Sequence, residues 1–268
     1  MKISGRTFVI SGGASGLGRA TALELAQHGA NIAILDLNED NGAELVHQLG
    51  GESRAKFFQV DVTDSDSIEA AVKGTVSWIQ DVTKAPLGGI IPAAGVGIPG
   101  LILDGKNRPL PMQSIDIVLN INLRGTLDLI RQFLPYLSRS EPFITPSNDA
   151  EHGVIIMVAS AAAFDGQMGQ TAYAASKGAV ASMTLPLTRD LSRFGIRVVT
   201  IAPGTFETPM TAMMSDKVRT SLEKSMEFPK RGGTGQEFAG VVRACVENVM
   251  LNGCVIRLDG GARMPSRL

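Results

Sequence analysis

Seven short runs rich in Val and Ile alternate along the chain with stretches of helical periodicity, and this alternation limits the possible folds more than any other feature. The runs are apolar without a polar residue at every second position, as in strands that helices cover on both faces. Strands that alternate with helices in this way predict a doubly wound α/β fold, a parallel sheet flanked by helices. The predicted strands are 7–10, 31–35, 56–60, 89–94, 154–159, 197–201 and 254–258.

The chain of 268 residues contains no internal repeat and no low-complexity linker, so we interpret 1–268 as a single domain. Three segments, 96–113, 139–152 and 205–235, are longer than ordinary connections. The last follows the sixth predicted strand at its carboxyl end, where open α/β sheets bind ligands, so we predict that 205–235 is a substrate-binding lid. Its methionines suit an apolar substrate and equally suit ordinary packing; they are Met210, Met213 and Met214.

Composition favours a small molecule as the partner. A net charge of −1 argues against a nucleic-acid partner, and no apolar run reaches the ~18 residues of a membrane span. The two cysteines, Cys245 and Cys254, have no CxxC spacing and no third or fourth partner, so neither a disulfide framework nor a structural zinc site is indicated. The three histidines are scattered and suit surface positions, so we predict no metal site; they are His28, His47 and His152.

A glycine-rich turn, Ser11-Gly12-Gly13-Ala14-Ser15-Gly16-Leu17-Gly18, joins the first predicted strand to a helix. At such a turn backbone N–H groups and the helix dipole can meet a pyrophosphate without obstruction by side chains. Gly12, Gly16 and Gly18 are therefore candidate cofactor-binding residues, although glycines can also serve only to make a tight turn. With the strand pattern, this turn predicts a Rossmann fold.

Acidic residues end the second and third predicted strands. Asp36 comes eighteen residues after Gly18, where a carboxylate can accept hydrogen bonds from both ribose hydroxyls of an adenosine. A 2′-phosphate ~4 Å from that carboxylate would be repelled by about 4 kcal/mol at an effective dielectric of ~20, which predicts NAD rather than NADP. Asp61 could bind the adenine amino group, or it could cap the helix that follows Asp64.

Tyr173 and Lys177 are spaced to share one helical face. A tyrosine that acts as a base near neutral pH must lose ~3 pKa units, which is about 4 kcal/mol. An ammonium ~4 Å away at a dielectric of ~20 would supply about that amount. We therefore predict that Lys177 lowers the pKa of the Tyr173 phenol and that Tyr173 is the general acid and base.

Ser160 follows a predicted strand, thirteen residues before Tyr173. Its hydroxyl can hold the oxygen that reacts, or it can belong only to a turn at the end of the strand. With Ser160, Tyr173 and Lys177 in this order, the whole chain resembles the short-chain dehydrogenase/reductase family. The resemblance implies an NAD-dependent oxidoreductase that interconverts a secondary alcohol and a ketone.

The resemblance also implies a fourth catalytic residue. Asn122, in the stretch Asn-Leu-Arg-Gly-Thr, would kink its helix and bind a water linked to Lys177, which itself orients a ribose. The residues alone indicate only a helix kink at Asn122. Gln170 would contact the substrate together with Ser160 and Tyr173. The implied NAD contacts are Gly12, Ser15, Gly16, Leu17, Gly18, Asp36, Asp61, Val62, Ala93, Gly95, Tyr173, Lys177, Phe206 and Thr208.

Two features depart from the family pattern. Pro92-Ala93-Ala94-Gly95 stands where the family usually has Asn-Asn-Ala-Gly or Asn-Cys-Ala-Gly, so a side-chain hydrogen bond that braces the sheet is missing, although we expect the fold to survive. Segment 139–152 has no close match and could remodel a surface or an interface. Relatives are usually homotetramers that pair through the two long helices around Asn122 and Tyr173, and we expect a homotetramer here.

Within the family, the chain is most similar to members that oxidise (S)-3-hydroxyacyl-CoA to 3-oxoacyl-CoA in fatty-acid β-oxidation. A steroid, polyketide or other secondary-alcohol dehydrogenase would use the same four residues. A structural or NAD-sensing subunit is a further alternative, against which the complete set of catalytic residues argues.

The last three residues, Ser266-Arg267-Leu268, resemble the Ser-Lys-Leu address of peroxisomal proteins. A frayed tail and a cytoplasmic location are the alternatives. We expect a peroxisomal location, which suits β-oxidation.

Overall fold

The computed structural model describes residues 1–212, 220, 222 and 224–263, and its centre is a seven-stranded sheet in the order β3-β2-β1-β4-β7-β8-β9. Every neighbouring pair in this sheet is parallel, so the predicted fold class and the seven predicted strands are confirmed. The strands are β1 (Thr7–Ser11), β2 (Asn31–Asp36), β3 (Ala55–Gln59), β4 (Leu87–Pro92), β7 (Gly153–Val158), β8 (Ile196–Pro203) and β9 (Val255–Leu258).

Helices connect the strands, and polar side chains at their first turns fix where they begin. Asn38 and Asp64 each accept a backbone N–H of the helix that follows, and Thr234 forms a capping box with Glu237. The described helices are α1 (Gly16–Gln27), α2 (Glu39–Gln48), α3 (Ser65–Trp78), α4 (Met112–Leu119), α5 (Thr126–Leu137), α6 (Thr171–Leu191), α7 (Pro209–Ala212) and α8 (Gly235–Glu247).

Successive strand residues bury their side chains on opposite faces of the sheet. In β1, Phe8 and Ile10 face a core shared with α1 and α8, whereas Val9 faces a core shared with α3, α5 and α6. Both faces of the sheet are therefore buried, and this explains why the strand sequences are continuously apolar.

The strand order reverses at the centre of the sheet, where β1 and β4 are neighbours. Their connections leave in opposite directions and create a crevice beyond the carboxyl ends of the strands. The loops that follow the two strands pass in direct contact, because a Cβ atom placed on Gly12 would lie 2.8 Å from the Cα atom of Ala94. The sheet topology thus brings the glycine-rich turn to the predicted cofactor position.

Segment 139–152 contains a small hairpin that the sequence did not predict. Strands β5 (Phe143–Ile144) and β6 (Ala150–Glu151) pair antiparallel and are separate from the main sheet. A buried carboxylate anchors the hairpin, because Glu151 Oε1 accepts a hydrogen bond from Arg197 Nε of β8 at 2.7 Å.

Parts of two sequence predictions lie outside the described residues: Met213 and Met214 of the lid, and the C-terminal Ser266-Arg267-Leu268. Across the ranges that are described, no helix is long and apolar enough to cross a membrane.

Candidate active site

Three elements bring the four predicted catalytic residues to one end of the sheet. Ser160 follows β7, Tyr173 and Lys177 lie in the first turns of α6, and Asn122 lies in a π-helical segment, Asn120–Gly125, between α4 and α5. The Ser160 hydroxyl interacts with the Tyr173 phenol and lowers its pKa, and it accepts a hydrogen bond from the backbone N–H of Ala162 at 3.1 Å. The predicted proximity of serine and tyrosine is thus present in the structure.

Lys177 is fully enclosed behind the tyrosine. Its Nζ atom donates a hydrogen bond to the carbonyl oxygen of Val158 at 2.8 Å and lies 5.9 Å from the centre of the Tyr173 ring. Burial lowers the pKa of Lys177 to about 8. The lysine can therefore hold or release a proton near physiological pH.

The direction of the Tyr173 pKa shift corrects the sequence analysis. Burial raises the pKa of the phenol above its ordinary value of 10.0, and the hydrogen bond with Ser160 offsets only part of that increase. The cause is the loss of water around the phenolate, a cost that the sequence-based argument omitted. The predicted lowering by Lys177 is therefore wrong for the chain without a cofactor.

Asn122 fastens the loop after β4 to the catalytic helix. Its Oδ1 atom accepts the N–H of Val96 at 2.8 Å, while its Nδ2 atom donates to the Val96 carbonyl at 2.9 Å and to Ser176 Oγ at 3.0 Å. A Cβ atom placed on Gly95 would lie 3.2 Å from Asn122 Oδ1 and 3.4 Å from Lys177 Nζ. Gly95 thus allows these two groups to approach the loop, and the π-helical segment accounts for the predicted kink at Asn122.

The first turn of α1 is arranged to receive an anion. Ser15 precedes the helix without making a side-chain capping bond, and the first turn contains no acidic residue, so the dipole and the free N–H groups face outward. A Cβ atom on Gly18 would lie 2.1 Å from the Gly12 carbonyl oxygen. The two glycines therefore make the turn tight, because a side chain at Gly18 would collide with the Gly12 backbone.

Asp36 stands beside this turn at the end of β2. Its Oδ2 atom accepts the N–H of Ala14 at 3.0 Å, and its Oδ1 atom accepts the N–H of Asn38 at 3.1 Å. The carboxylate is thus fixed against the glycine-rich turn. A dinucleotide fits this arrangement, with a diphosphate at the turn and ribose hydroxyls at Asp36.

Asp61 lies at the end of β3, on the same edge. Its Oδ1 atom accepts hydrogen bonds from the N–H and the hydroxyl of Thr63, both at 2.8 Å, while Asp64 caps α3. The alternative role of Asp61 as a helix cap is therefore wrong, and its role toward an adenine stays a prediction. Val62 lies beside the π-helical segment, because its carbonyl oxygen would be 2.7 Å from a Cβ atom on Gly125.

Ser11 supplies a brace that the sequence analysis missed. Its carbonyl oxygen accepts the N–H of Ala93 at 3.1 Å, and its hydroxyl accepts the N–H of Ala94 at 3.3 Å. These bonds hold the loop after β4 although the asparagine of the family pattern is absent. A serine as the last residue of an otherwise apolar strand was the available signal.

The remaining predicted contacts lie around the crevice with different orientations. Thr208 lies against the glycine-rich turn, 3.6 Å from a Cβ atom placed on Gly16. The Phe206 ring is instead buried edge-on against Phe238, with the ring centres 6.1 Å apart, so only its backbone is available to a cofactor. Gln170 is half-buried where α6 begins, and its Oε1 atom accepts the N–H of Gln167 at 3.0 Å.

Within the ranges that the structure describes, no group of three or more His, Cys, Asp or Glu side chains could hold a metal ion.

Residues 6–219 match the family described as short chain dehydrogenase. The chain is 43% identical over 257 residues to 3-hydroxyacyl-CoA dehydrogenase type-2 of Drosophila melanogaster, with 96% of each chain covered. It is 40% identical to the human protein of the same name, covering 98% of this chain and 97% of that protein. The crystal structure of 3-hydroxyacyl-CoA dehydrogenase type-2 from Mycobacterium avium is 34% identical and superposes with a TM-score of 0.88, with 98% of both chains covered.

Proposed function

Since the chain belongs to the short chain dehydrogenase family, we propose that it oxidises the 3-hydroxyl group of a 3-hydroxyacyl-CoA to a ketone, with NAD as the oxidant. The observation that carries the proposal is the hydrogen-bonded pair of Ser160 and Tyr173 with Lys177 behind it. Relatives named 3-hydroxyacyl-CoA dehydrogenase type-2, which match almost the whole length, supply the substrate class.

Ser160 and Tyr173 divide the work on the oxygen that reacts. In alcohol oxidation the Tyr173 oxygen accepts the proton of the substrate hydroxyl. The Ser160 hydroxyl binds the substrate oxygen as that oxygen becomes a carbonyl. In the reverse direction the phenol donates that proton. The protonated phenol is the form that donates in this direction, and burial shifts the pKa of Tyr173 further toward that form.

Lys177 and Asn122 support the tyrosine from behind. Charge on Lys177 favours the phenolate, and its bond to the Val158 carbonyl fixes its position. Asn122 holds the Val96 backbone and Ser176 of the same helix, so it keeps the loop after β4 at the site. The water-binding role of Asn122 is part of the proposal.

NAD, when bound, accepts the hydride and adds positive charge beside the phenol. The glycine-rich turn would hold its diphosphate, Asp36 its adenosine ribose and Lys177 its nicotinamide ribose. The other proposed contacts are Ser15, Leu17, Asp61, Val62, Ala93, Gly95, Phe206 and Thr208.

The substrate side of the crevice presents apolar side chains. Gly97 brings the loop after β4 to Tyr173, since its added Cβ atom would lie 3.9 Å from the ring. Exposed hydrophobic residues on this loop, the start of α4, the loop before α6 and the lid suit an acyl chain; they are Ile98, Leu101, Ile102, Leu103, Met112, Met168 and Met210.

The test is a substrate panel with matched tyrosine variants. Wild type should reduce acetoacetyl-CoA with NADH, Tyr173→Phe should lower kcat by about 10²–10⁴-fold, and Tyr136→Phe on the exposed face of α5 should leave kcat unchanged. Activity confined to steroids or other secondary alcohols would replace the acyl-CoA assignment. Binding of NADH without turnover of any substrate would favour the sensing subunit.

Location and assembly complete the proposal. The terminal Ser266-Arg267-Leu268 supports a peroxisomal location, and deletion of Leu268 should move a tagged protein to the cytosol. A homotetramer is supported by apolar Leu127 of α5 and Leu185 of α6, which are exposed in the single chain. Light scattering after size-exclusion chromatography should give four times the mass of one chain.

A further inference from the structure

The loop 161–170 connects the catalytic serine to the helix of the catalytic tyrosine. It begins after Ser160 and ends at Gln170, where α6 begins. Its far end touches the loop after β4, because the Gly169 carbonyl accepts the N–H of Gly100 at 2.8 Å. Met168 is exposed on the same loop. The position of this loop therefore decides where Gln170 and Met168 stand in the substrate crevice.

An ion pair ties the loop to the edge of the sheet. Arg257 on β9 donates from Nη2 to Asp165 Oδ2 at 2.5 Å and from Nε to Asp259 Oδ2 at 2.6 Å. The guanidinium also lies 5.3 Å from the centre of the Phe164 ring, within the range of a cation–π contact. Arg257 and Asp165 are half-buried and Asp259 is buried, so these bonds are better shielded than surface pairs.

The turn that follows β9 contacts the C-terminal part of the predicted lid 205–235, which we call the lid arm. Asp259 Oδ1 accepts the N–H of Gly261 at 3.1 Å, which closes the turn after β9. The Gly260 carbonyl at this turn accepts the N–H groups of Glu227 and Phe228 at 3.0 and 3.2 Å. Arg257 thus contacts the loop 161–170 directly, and it reaches the lid arm only through the turn that Asp259 closes.

We propose, on the basis of the proposed function, that Arg257 is a positioning residue that sets substrate affinity by holding the loop 161–170 through Asp165 and the lid arm through Asp259. Strand β9 is hydrogen-bonded to β8 along its length, so the anchor itself is fixed. The planar guanidinium binds two carboxylates at once through N–H groups in fixed directions. A lysine ammonium is a single point charge and holds two carboxylates with less defined geometry.

The catalytic groups are held by contacts other than those of Arg257. Ser160 follows β7 in the interior of the sheet, and Lys177 is held by Val158 of β7. The cofactor contacts at Asp36 and the glycine-rich turn belong to β1 and β2, in the other half of the sheet. Loss of the clamp should therefore change the KM for the substrate while kcat and the KM for NAD stay nearly constant.

Steady-state kinetics of three variants test the proposal. Arg257→Gln and Asp165→Asn should each raise the KM for the 3-hydroxyacyl-CoA about tenfold, with kcat and the KM for NAD changed by less than about twofold. The double variant should be no worse than Arg257→Gln alone, because Arg257→Gln already removes the bond that Asp165→Asn breaks. Arg257→Lys should recover part of the affinity, to within about threefold of wild type.

Arg263→Gln is the matched control. Arg263 is 67% exposed and reaches the same Asp259 only at 3.7 Å, so its removal should leave all three parameters unchanged. An unchanged substrate KM in Arg257→Gln, additive effects in the double variant, or an equal loss in all parameters would overturn the proposal.

Hydrogen exchange separates this inference from the proposed function, since it needs no substrate. Arg257→Gln and Asp165→Asn should speed amide exchange in 161–170 and leave the 11–18 turn as in wild type. Unaltered exchange in 161–170 would contradict the clamp even if the protein proved active. Conversely, a wild type that oxidises another alcohol but no acyl-CoA would refute the substrate assignment, and the same KM comparison would be made with that alcohol.

Discussion

Lys177 is buried and Tyr173 is half-buried, and burial acts against a charge on either of them. The pKa of Lys177 falls to about 8, whereas that of Tyr173 rises above its ordinary 10.0. As pH increases, the lysine therefore loses its proton before the phenol does. A neutral phenol is the resting state of the chain, and the phenolate needs further positive charge to form.

A tyrosinate titration should show this raised pKa directly. Tyr136→Phe leaves Tyr173 as the only tyrosine, so the absorbance of tyrosinate in the cofactor-free protein should report a pKa above 10.0. Since oxidation requires the phenol to lose its proton, the rate of alcohol oxidation should rise with pH, and ketone reduction should be favoured near neutrality. A phenol that titrates below its ordinary value would contradict the structure.

Asp36 should decide between the two nicotinamide dinucleotides. Wild type should prefer NAD by up to about three orders of magnitude in kcat/KM, and solvent screening at this half-buried carboxylate would reduce the factor. Asp36→Asn removes the charge and should lower the preference at least about tenfold. Asp40→Asn, an exposed change of the same kind at the start of α2, should leave the preference intact.

The residues of the site were predictable to different degrees. Ser160, Tyr173 and Lys177 follow from spacing, because a strand end and one helical face place them together. The direction of the shift in the Tyr173 pKa does not follow from spacing, since it depends on how much water the folded chain removes from around the phenol. The burial of the Phe206 ring could not be predicted from the sequence either, because its partner Phe238 lies far away in sequence.

The helix between α4 and α5 owes its local form to hydrogen bonds around Asn122. Thr126 Oγ1 donates to the Asn122 carbonyl at 2.8 Å, while the Asn122 side chain is engaged with Val96 and Ser176. A π-helical turn widens the helix at this point and turns the asparagine toward the active site.

Asn122→Ala should therefore affect stability as well as catalysis. It removes the hydrogen-bond partner of the Val96 N–H and carbonyl groups, whereas Ser176 Oγ keeps its bond to the Tyr173 carbonyl, and the free energy of unfolding should fall by about 2–4 kcal/mol. Urea denaturation would measure this change. Asn120→Ala, at the start of the same π-helical segment, is the control and should cost less than about 1 kcal/mol, since Asn120 is exposed.

Long elements were easier to predict than short ones. The seven sheet strands agree with the sequence within about two residues, because runs buried on both faces carry a strong apolar signal. The hairpin of β5 and β6 was missed, since strands of two residues show no periodicity. The π-helical segment Asn120–Gly125 was not predicted from the sequence either, apart from the kink expected at Asn122.

On the scale of the whole molecule, Arg197 joins parts that are distant in sequence. Besides Glu151 of the hairpin, it donates to the carbonyl oxygens of Cys245 at 2.7 Å, Val246 at 2.8 Å and Leu251 at 2.8 Å. The buried guanidinium thus fixes the segment 139–152 and the end of α8 to the sheet.

Loss of this buried pair should be costly. Glu151→Gln leaves the Arg197 charge uncompensated in the interior and should lower the free energy of unfolding by about 3–5 kcal/mol. Glu44→Gln, which breaks the exposed pair with Arg19, should cost less than about 1 kcal/mol. Equal midpoints of chemical denaturation for the two variants would show that the hairpin anchor is unimportant.

The bond between Ser160 and Tyr173 has a consequence for inhibitor chemistry. Because the Ser160 hydroxyl already interacts with the phenol in the free chain, an arriving oxygen competes with that interaction for the same two groups. A compound that resembles only the apolar acyl chain of the substrate does not displace the interaction between the two hydroxyls. Tight inhibitors should instead place one polar atom between the two hydroxyls, accepting from one and donating to the other.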